Sequence, residues 1–207
     1  SKMSELQGMR SAYMEYIDFR SDTVTEPTME MLDAMHDAKV GDDVYGDDET
    51  VNLLEKKAAE ALGKESSLFI PSGTFGNQLA VLTHTERGNE VIIPESNHIV
   101  IHEVGASAVI AGVQLRTLND SYGIPDIIEL KKAFRIDDIH FTKTGLVCME
   151  NAHSSGKVIA TEVLKEIFEI AQSHNIPLHL DGARIFNAAE ELKTEANINN
   201  GTTDIVC

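Results

Sequence analysis

Gly145-Leu146-Val147-Cys148-Met149, then Thr161 to Ser173 with Val163, Leu164, Ile167 and Ile170 at helical spacing, then Leu178-His179-Leu180: this stretch decides the fold. Two short, almost wholly apolar runs flank one amphipathic helix. Strands that are hydrophobic throughout, not at alternate positions, are covered on both faces, which is the signature of a parallel sheet with helical crossovers. The same alternation extends outward. Towards the N-terminus, Glu90 to Ile93 and Val113 to Leu118 read as strands. His98 to Ile110 and Asp126 to Phe134 read as the helices that follow them. Earlier still, Ser67 to Ile70 is a short apolar run ending at Pro71, followed by a helix from Thr74 to His84. Two further helices are expected, one opening near Pro27 with Met31, Leu32 and Met35 inward, the other from about Asp48 to Gly63. Ile205 to Cys207 begins another strand. The expected architecture is α/β, a mostly parallel sheet between two helical layers.

The chain has 207 residues, 34 of them acidic and 17 basic, for a formal net charge of −17. Such a charge repels nucleic acid and anionic membrane surfaces, so neither is an expected partner. No run of about 20 apolar residues is present, so no membrane span is expected. No secretory signal is visible, and two cysteines, Cys148 and Cys207, are too few for a disulfide framework. A cytoplasmic protein is expected. The first 17 residues read as a leader, and the rest as one domain.

In open parallel sheets the chemistry collects at the carboxyl ends of the strands. After Ile70 comes Pro71-Ser72-Gly73-Thr74-Phe75-Gly76-Asn77, a small-residue turn opening a helix. Backbone N–H groups at the positive end of a helix dipole suit a phosphate, although an ordinary helix cap reads the same way. No P-loop or dinucleotide fingerprint accompanies it. The strand Leu178-His179-Leu180 ends in Asp181-Gly182-Ala183-Arg184. A carboxylate there either pairs with Arg184 or faces the ring nitrogen of a cofactor. His98 and His102 stand at i, i+4, but no third ligand is suggested and no metal is expected. Asp42, Asp43, Asp47 and Asp48 lack the spacing of a calcium loop.

Four blocks together resemble the pyridoxal-phosphate-dependent threonine aldolases, within the β-eliminating lyases: Phe19 to Thr28, Val40 to Asp48, Pro71 to Thr74 with Gly76-Asn77, and Asp181 to Asn187. The resemblance implies the three-layer large domain of fold-type-I enzymes over residues 18–207, with a seven-stranded, mainly parallel sheet. It implies pyridoxal 5'-phosphate as cofactor and a β-hydroxy amino acid as substrate. By the same resemblance Gly73, Thr74 and Asn77 bind the phosphate, His98 stacks on the pyridine ring, and Asp181 pairs with the ring nitrogen. Arg184 and Ser21 hold the substrate carboxylate, Tyr45 lies at an edge shared between subunits, and His140 stands near the substrate hydroxyl. His98 and His140 are the candidate bases for the hydroxyl proton.

The implied reaction is retro-aldol cleavage of L-threonine or L-allo-threonine to glycine and acetaldehyde, in a homodimer or homotetramer with shared sites. The family's Schiff-base lysine falls a few residues beyond Cys207, and its small C-terminal domain beyond that. The expectation for the 207-residue chain alone is therefore inactivity. The alternatives are another β-eliminating lyase or a non-catalytic fragment.

Overall fold

The computed structural model describes residues 17–199 and 203–207; the expected leader falls almost wholly outside them. The chain divides into two units, Ser1–Thr50 and Val51–Cys207, and each is described by itself.

In the first unit, helix α1 spans Met29–Asp37. Thr28 caps it, its hydroxyl accepting from the Met31 N–H, so Pro27 lies just ahead of the cap and not in the first turn. Two single turns, Asp22–Val24 and Asp43–Tyr45, are capped by Ser21 and Asp42. The loop at Gly41 closes tightly: a Cβ there would lie 2.4 Å from the Asp47 carbonyl carbon.

Helix α2, Glu49–Leu62, leads into the second unit and ends where Gly63 takes a positive φ, a conformation glycine adopts without strain. There follow α3 (Gly73–His84), β1 (Glu90–Pro94), α4 (His98–Ile101), β2 (Gln114–Leu118), a hairpin of β3 (Asp120–Ser121) and β4 (Ile124–Pro125), and α5 (Ile127–Ala133). Then come β5 (Thr144–Glu150), α6 (Thr161–Ser173), β6 (Leu178–Asp181), α7 (Ile185–Leu192) and β7 (Ile205–Val206).

The main sheet has the order β2-β1-β5-β6-β7, every pairing parallel. Its apolar strands serve two cores at once. Ile92, Val147, Met149, Leu178 and Leu180 pack on one face, with Leu164, Ile167 and Ile170 of α6. Val91, Ile93, Leu146 and Cys148 pack on the other, with Val81 of α3. Consecutive residues of one strand thus enter opposite cores, which is why these strands carry no polar alternation. The three-layer α/β architecture expected from the sequence is the observed one.

Two expected elements differ. His98 to Ile110 is not one helix. It stops after Ile101, Val104 and Gly105 take positive φ, and a separate π-type turn forms over Ser107–Ala111. Ser67 to Ile70 is extended without a ladder partner. Leu68, Phe69 and Ile70 instead share with Ile205, Val206 and Cys207 the lining of a cavity of about 710 Å³. Among the described residues the main sheet therefore has five strands, not seven.

Candidate active site

Parallel pairing sends the carboxyl ends of β1, β5, β6 and β7 to one edge, and this edge carries an unusual density of buried polar side chains. Asn77, Gln78, Glu103, Glu150, His179 and Asp181 are each at most 6% exposed. Buried groups of this kind need partners, and all but Glu150 find one among the others.

Asn77, in the second turn of α3, is the hub. Its Nδ2 donates to Asp181 Oδ2 at 2.8 Å and to Glu103 Oε1 at 2.8 Å. Its Oδ1 accepts from His179 Nε2 at 2.8 Å and from the Cys207 thiol at 2.9 Å. The orientation is forced, because the reverse would set the amide oxygen against two carboxylates. His179 therefore carries its proton on Nε2. Burial holds that imidazole neutral, bringing its pKa from 6.5 to about 4. Burial likewise raises the Cys207 thiol to about 12.

Asp181 takes a second hydrogen bond from the backbone N–H of Ala183, at 3.1 Å. Glu103 takes two more: Gln78 Nε2 donates to its Oε2 at 2.6 Å, and His98 Nδ1 lies 3.0 Å from its Oε1. Gln78 is itself oriented by the Ser107 hydroxyl, 3.1 Å from its Oε1. The backbone N–H of His98 donates to Glu150 Oε2 at 2.8 Å, tying the start of α4 to the end of β5. The other oxygen of Glu150 accepts from both the N–H and the hydroxyl of Ser154.

One nitrogen of His98 and one oxygen each of Glu103 and Asp181 lie within 4.8 Å of one another. By distance these three atoms suit a cation, but the carboxylates already accept from Asn77 and the imidazole is engaged with Glu103. His102 does not join them; its ring centre is 5.1 Å from that of His98, tilted by 47°.

At the start of α3, the Ser72 hydroxyl accepts from the Phe75 N–H. Gly73 and Thr74 are exposed, and a Cβ on Gly73 would meet nothing within 4 Å. The start of this helix is thus open, one turn ahead of the Asn77 that bonds the buried acid. That arrangement fits a phosphorylated ring compound: an anion at the helix start and a protonated ring nitrogen at an acceptor-only carboxylate.

The structure thus brings His98, Asp181, Gly73, Thr74 and Asn77 to one edge, with Arg184 half-buried three residues after Asp181. Asn77 does not offer its side chain to a phosphate: all of its amide is turned inward. His140 is not brought to this edge. It is exposed, four residues before β5 begins, with Nδ1 2.8 Å from Asp138, and the seven residues of β5 rise about 20 Å between there and Glu150. Ser21 and Tyr45 belong to the first unit, where the Ser21 hydroxyl accepts from the Thr23 N–H and Tyr45 is 79% exposed.

Glu103, Gln78, Glu150 and His179 were not anticipated from the sequence. A signal existed for His179 alone, a polar residue in the middle of an apolar strand. His153, also buried, belongs to a separate staple. Its Nδ1 accepts from the Ser155 N–H, its Nε2 faces the Ser96 carbonyl, and the Ser96 hydroxyl donates to Asp120.

A buried acid at the end of an inner strand, with a helix start and an imidazole near it, has the chemistry of a cofactor site in an α/β fold. The chain belongs to the beta-eliminating lyase family, which matches residues 18–207. It is 47% identical over 173 residues to the low specificity L-threonine aldolase of Escherichia coli K12, covering 83% of this chain and 52% of that protein. To the probable low-specificity L-threonine aldolase 2 of Arabidopsis thaliana it is 45% identical over 182 residues, covering 85% of this chain and 51% of that one. Among solved structures, the putative L-allo-threonine aldolase of Listeria monocytogenes EGD-E superposes with a TM-score of 0.72 at 26% identity, over 84% of this chain and 49% of that one. The chain thus spans about half the length of the curated relatives it matches. Members of this family depend on pyridoxal phosphate, and no helix among the described residues is long and apolar enough to cross a membrane.

Proposed function

We propose that the whole protein cleaves L-threonine or L-allo-threonine to glycine and acetaldehyde, and that residues 18–207 are its cofactor-binding large domain. The observation that carries this reading is the cluster of His98, Glu103 and Asp181 within 4.8 Å at the carboxyl edge of the sheet.

When bound, pyridoxal phosphate supplies an electron sink for the pair released as Cα–Cβ breaks. Asp181, an acceptor-only group held by Asn77 and Ala183, keeps the ring nitrogen protonated. The N–H groups of Gly73 and Thr74 take the phosphate. Arg184 takes the substrate carboxylate and fixes which bond to Cα is aligned for cleavage, and Tyr45 lies at the shared edge of a dimeric or tetrameric assembly. His98 accepts the β-hydroxyl proton as the Cβ carbonyl forms, and in the net balance that one proton is what Cα gains to give glycine. His140, at the opposite edge of the sheet, takes no part in that transfer within one subunit. We place the protein in the cytoplasm, on its two unpaired cysteines.

The test is made on the complete gene product. L-Threonine and L-allo-threonine are supplied with pyridoxal phosphate, glycine is quantified by mass spectrometry and acetaldehyde by coupled reduction. Both products in equal amounts are expected, and Asp181→Asn is expected to abolish them while the protein stays folded. Release of ammonia and 2-oxobutyrate without glycine overturns the aldolase reading in favour of elimination.

A further inference from the structure

We infer that Glu103 is a positioning residue that fixes the tautomer of His98, placing the proton on Nδ1 and leaving Nε2 as the nitrogen that accepts from substrate. The inference deepens the proposed reaction and rests on it for the role of Nε2, but its structural half stands apart.

Hydrogen-bond polarity fixes which atom of each partner carries the proton. His179 can only donate through Nε2 to Asn77 Oδ1, because the other side of that amide faces two acids. Asn77 Nδ2 therefore donates to Glu103 Oε1, and Gln78 Nε2 donates to Glu103 Oε2. Gln78 is held in that sense by the Ser107 hydroxyl on its own oxygen. Both oxygens of this wholly buried carboxylate already receive an N–H group and so present acceptor atoms to any third partner.

Its Oε1 also lies 3.0 Å from His98 Nδ1. Two bare acceptors at that distance repel, so Nδ1 carries hydrogen. A neutral imidazole has one N–H, so Nε2 is left with its lone pair. A buried carboxylate that holds a catalytic imidazole in one tautomer is the logic of an acid–histidine–nucleophile triad, here with a substrate hydroxyl in place of the nucleophile.

The placement has a second consequence. Glu103 and Asp181 accept from the same Asn77 nitrogen. The acid that orients the proton acceptor and the acid that faces the cofactor ring are thus aligned by a single amide.

The first experiment uses the complete gene product labelled with ¹⁵N-histidine and two-bond nitrogen–proton spectra, with His98 identified by the loss of its signals in His98→Gln. The expected result is a protonated Nδ1 and a bare Nε2. Glu103→Gln keeps the shape and one accepting oxygen but removes the charge, and is expected to bring up a population protonated on Nε2. In the complete gene product the same variant is expected to lower kcat about 10- to 100-fold with KM for the amino acid within about two-fold, since a proton acceptor is impaired and binding is not.

Wild-type His98 protonated on Nε2 overturns the inference. So does a folded Glu103→Gln with unchanged tautomer and kcat. Should Glu103→Gln not fold, the wild-type spectrum decides. Failure of the aldolase reading itself shows separately, as absence of glycine with the tautomer as expected.

Discussion

His179 makes a stability prediction with a definite sign. In the folded chain burial lowers its pKa from 6.5 to about 4, so the native state keeps it neutral where the unfolded chain already binds a proton. The contribution is complete above pH 6.5 and is lost as pH falls towards 4, at about 1.4 kcal/mol per pH unit within that window. Between pH 7 and pH 5 it amounts to about 2 kcal/mol. The comparison is with His179→Gln, whose amide still donates to Asn77 Oδ1 but does not titrate. Urea unfolding of both chains at several pH values, followed by circular dichroism, isolates the one group, because every other titration is common to the two. Wild type is expected to lose about 2 kcal/mol more than the variant on going from pH 7 to pH 5. Parallel curves would show that His179 is as free to protonate in the folded chain as in the unfolded one, and the buried amide network would have to be redrawn.

Asn77→Ala removes the amide donor from two buried carboxylates, each such bond contributing about 1.5–3 kcal/mol, so a loss of about 4 kcal/mol is expected in the same urea assay. Gly123 has φ +84° and a Cβ there would lie 2.6 Å from His153 Cδ2. Gly123→Ala is therefore expected to destabilise by about 1–3 kcal/mol, read as a fall in the urea midpoint with m unchanged. Cys148 is fully buried with its pKa raised, and Cys207 is raised to about 12. Both thiols should react with a neutral aromatic disulfide at pH 8 about a thousand-fold more slowly than free cysteine, rising to the free rate in urea. Fast labelling in the folded chain would contradict the burial of Cys148 or the raised pKa of the half-buried Cys207.

The sheet was legible because each inner strand satisfies two cores, leaving Val91-Ile92-Ile93 and Leu146-Val147-Cys148-Met149 without polar punctuation. The long helix expected over His98 to Ile110 was not legible as broken. Its apolar spacing is helical, but burying Glu103 beneath α3 requires the turn at Val104 and Gly105. Ser67 to Ile70 has the composition of a strand, and composition says nothing about whether a neighbouring strand is there to pair with it. At the site, Asp181 and the Gly73-Thr74 turn were readable because strand ends and helix starts are local features. Glu103 and Gln78 were not, since an acid or amide in a helical pattern looks solvated unless its distant partner is known. The resemblance assigns Asn77 to the phosphate-binding turn, and no local pattern shows that its side chain also serves Asp181, 104 residues away.

That separation orders events in time. The amide of Asn77 joins residues 26, 102, 104 and 130 positions further along the chain. As the protein is synthesised from its N-terminus, α3, β1 and Glu103 leave the ribosome long before His179 and Asp181 do. Through that interval Glu103 alone draws the Asn77 amide nitrogen to itself, while the amide oxygen waits for its donors. Contacts of such range close slowly, so the cofactor edge is among the last parts of the domain to acquire a unique arrangement. A nascent chain halted before Leu178 would hold the Asn77–Glu103 half of the polar network with the amide oxygen still lacking His179 and Cys207.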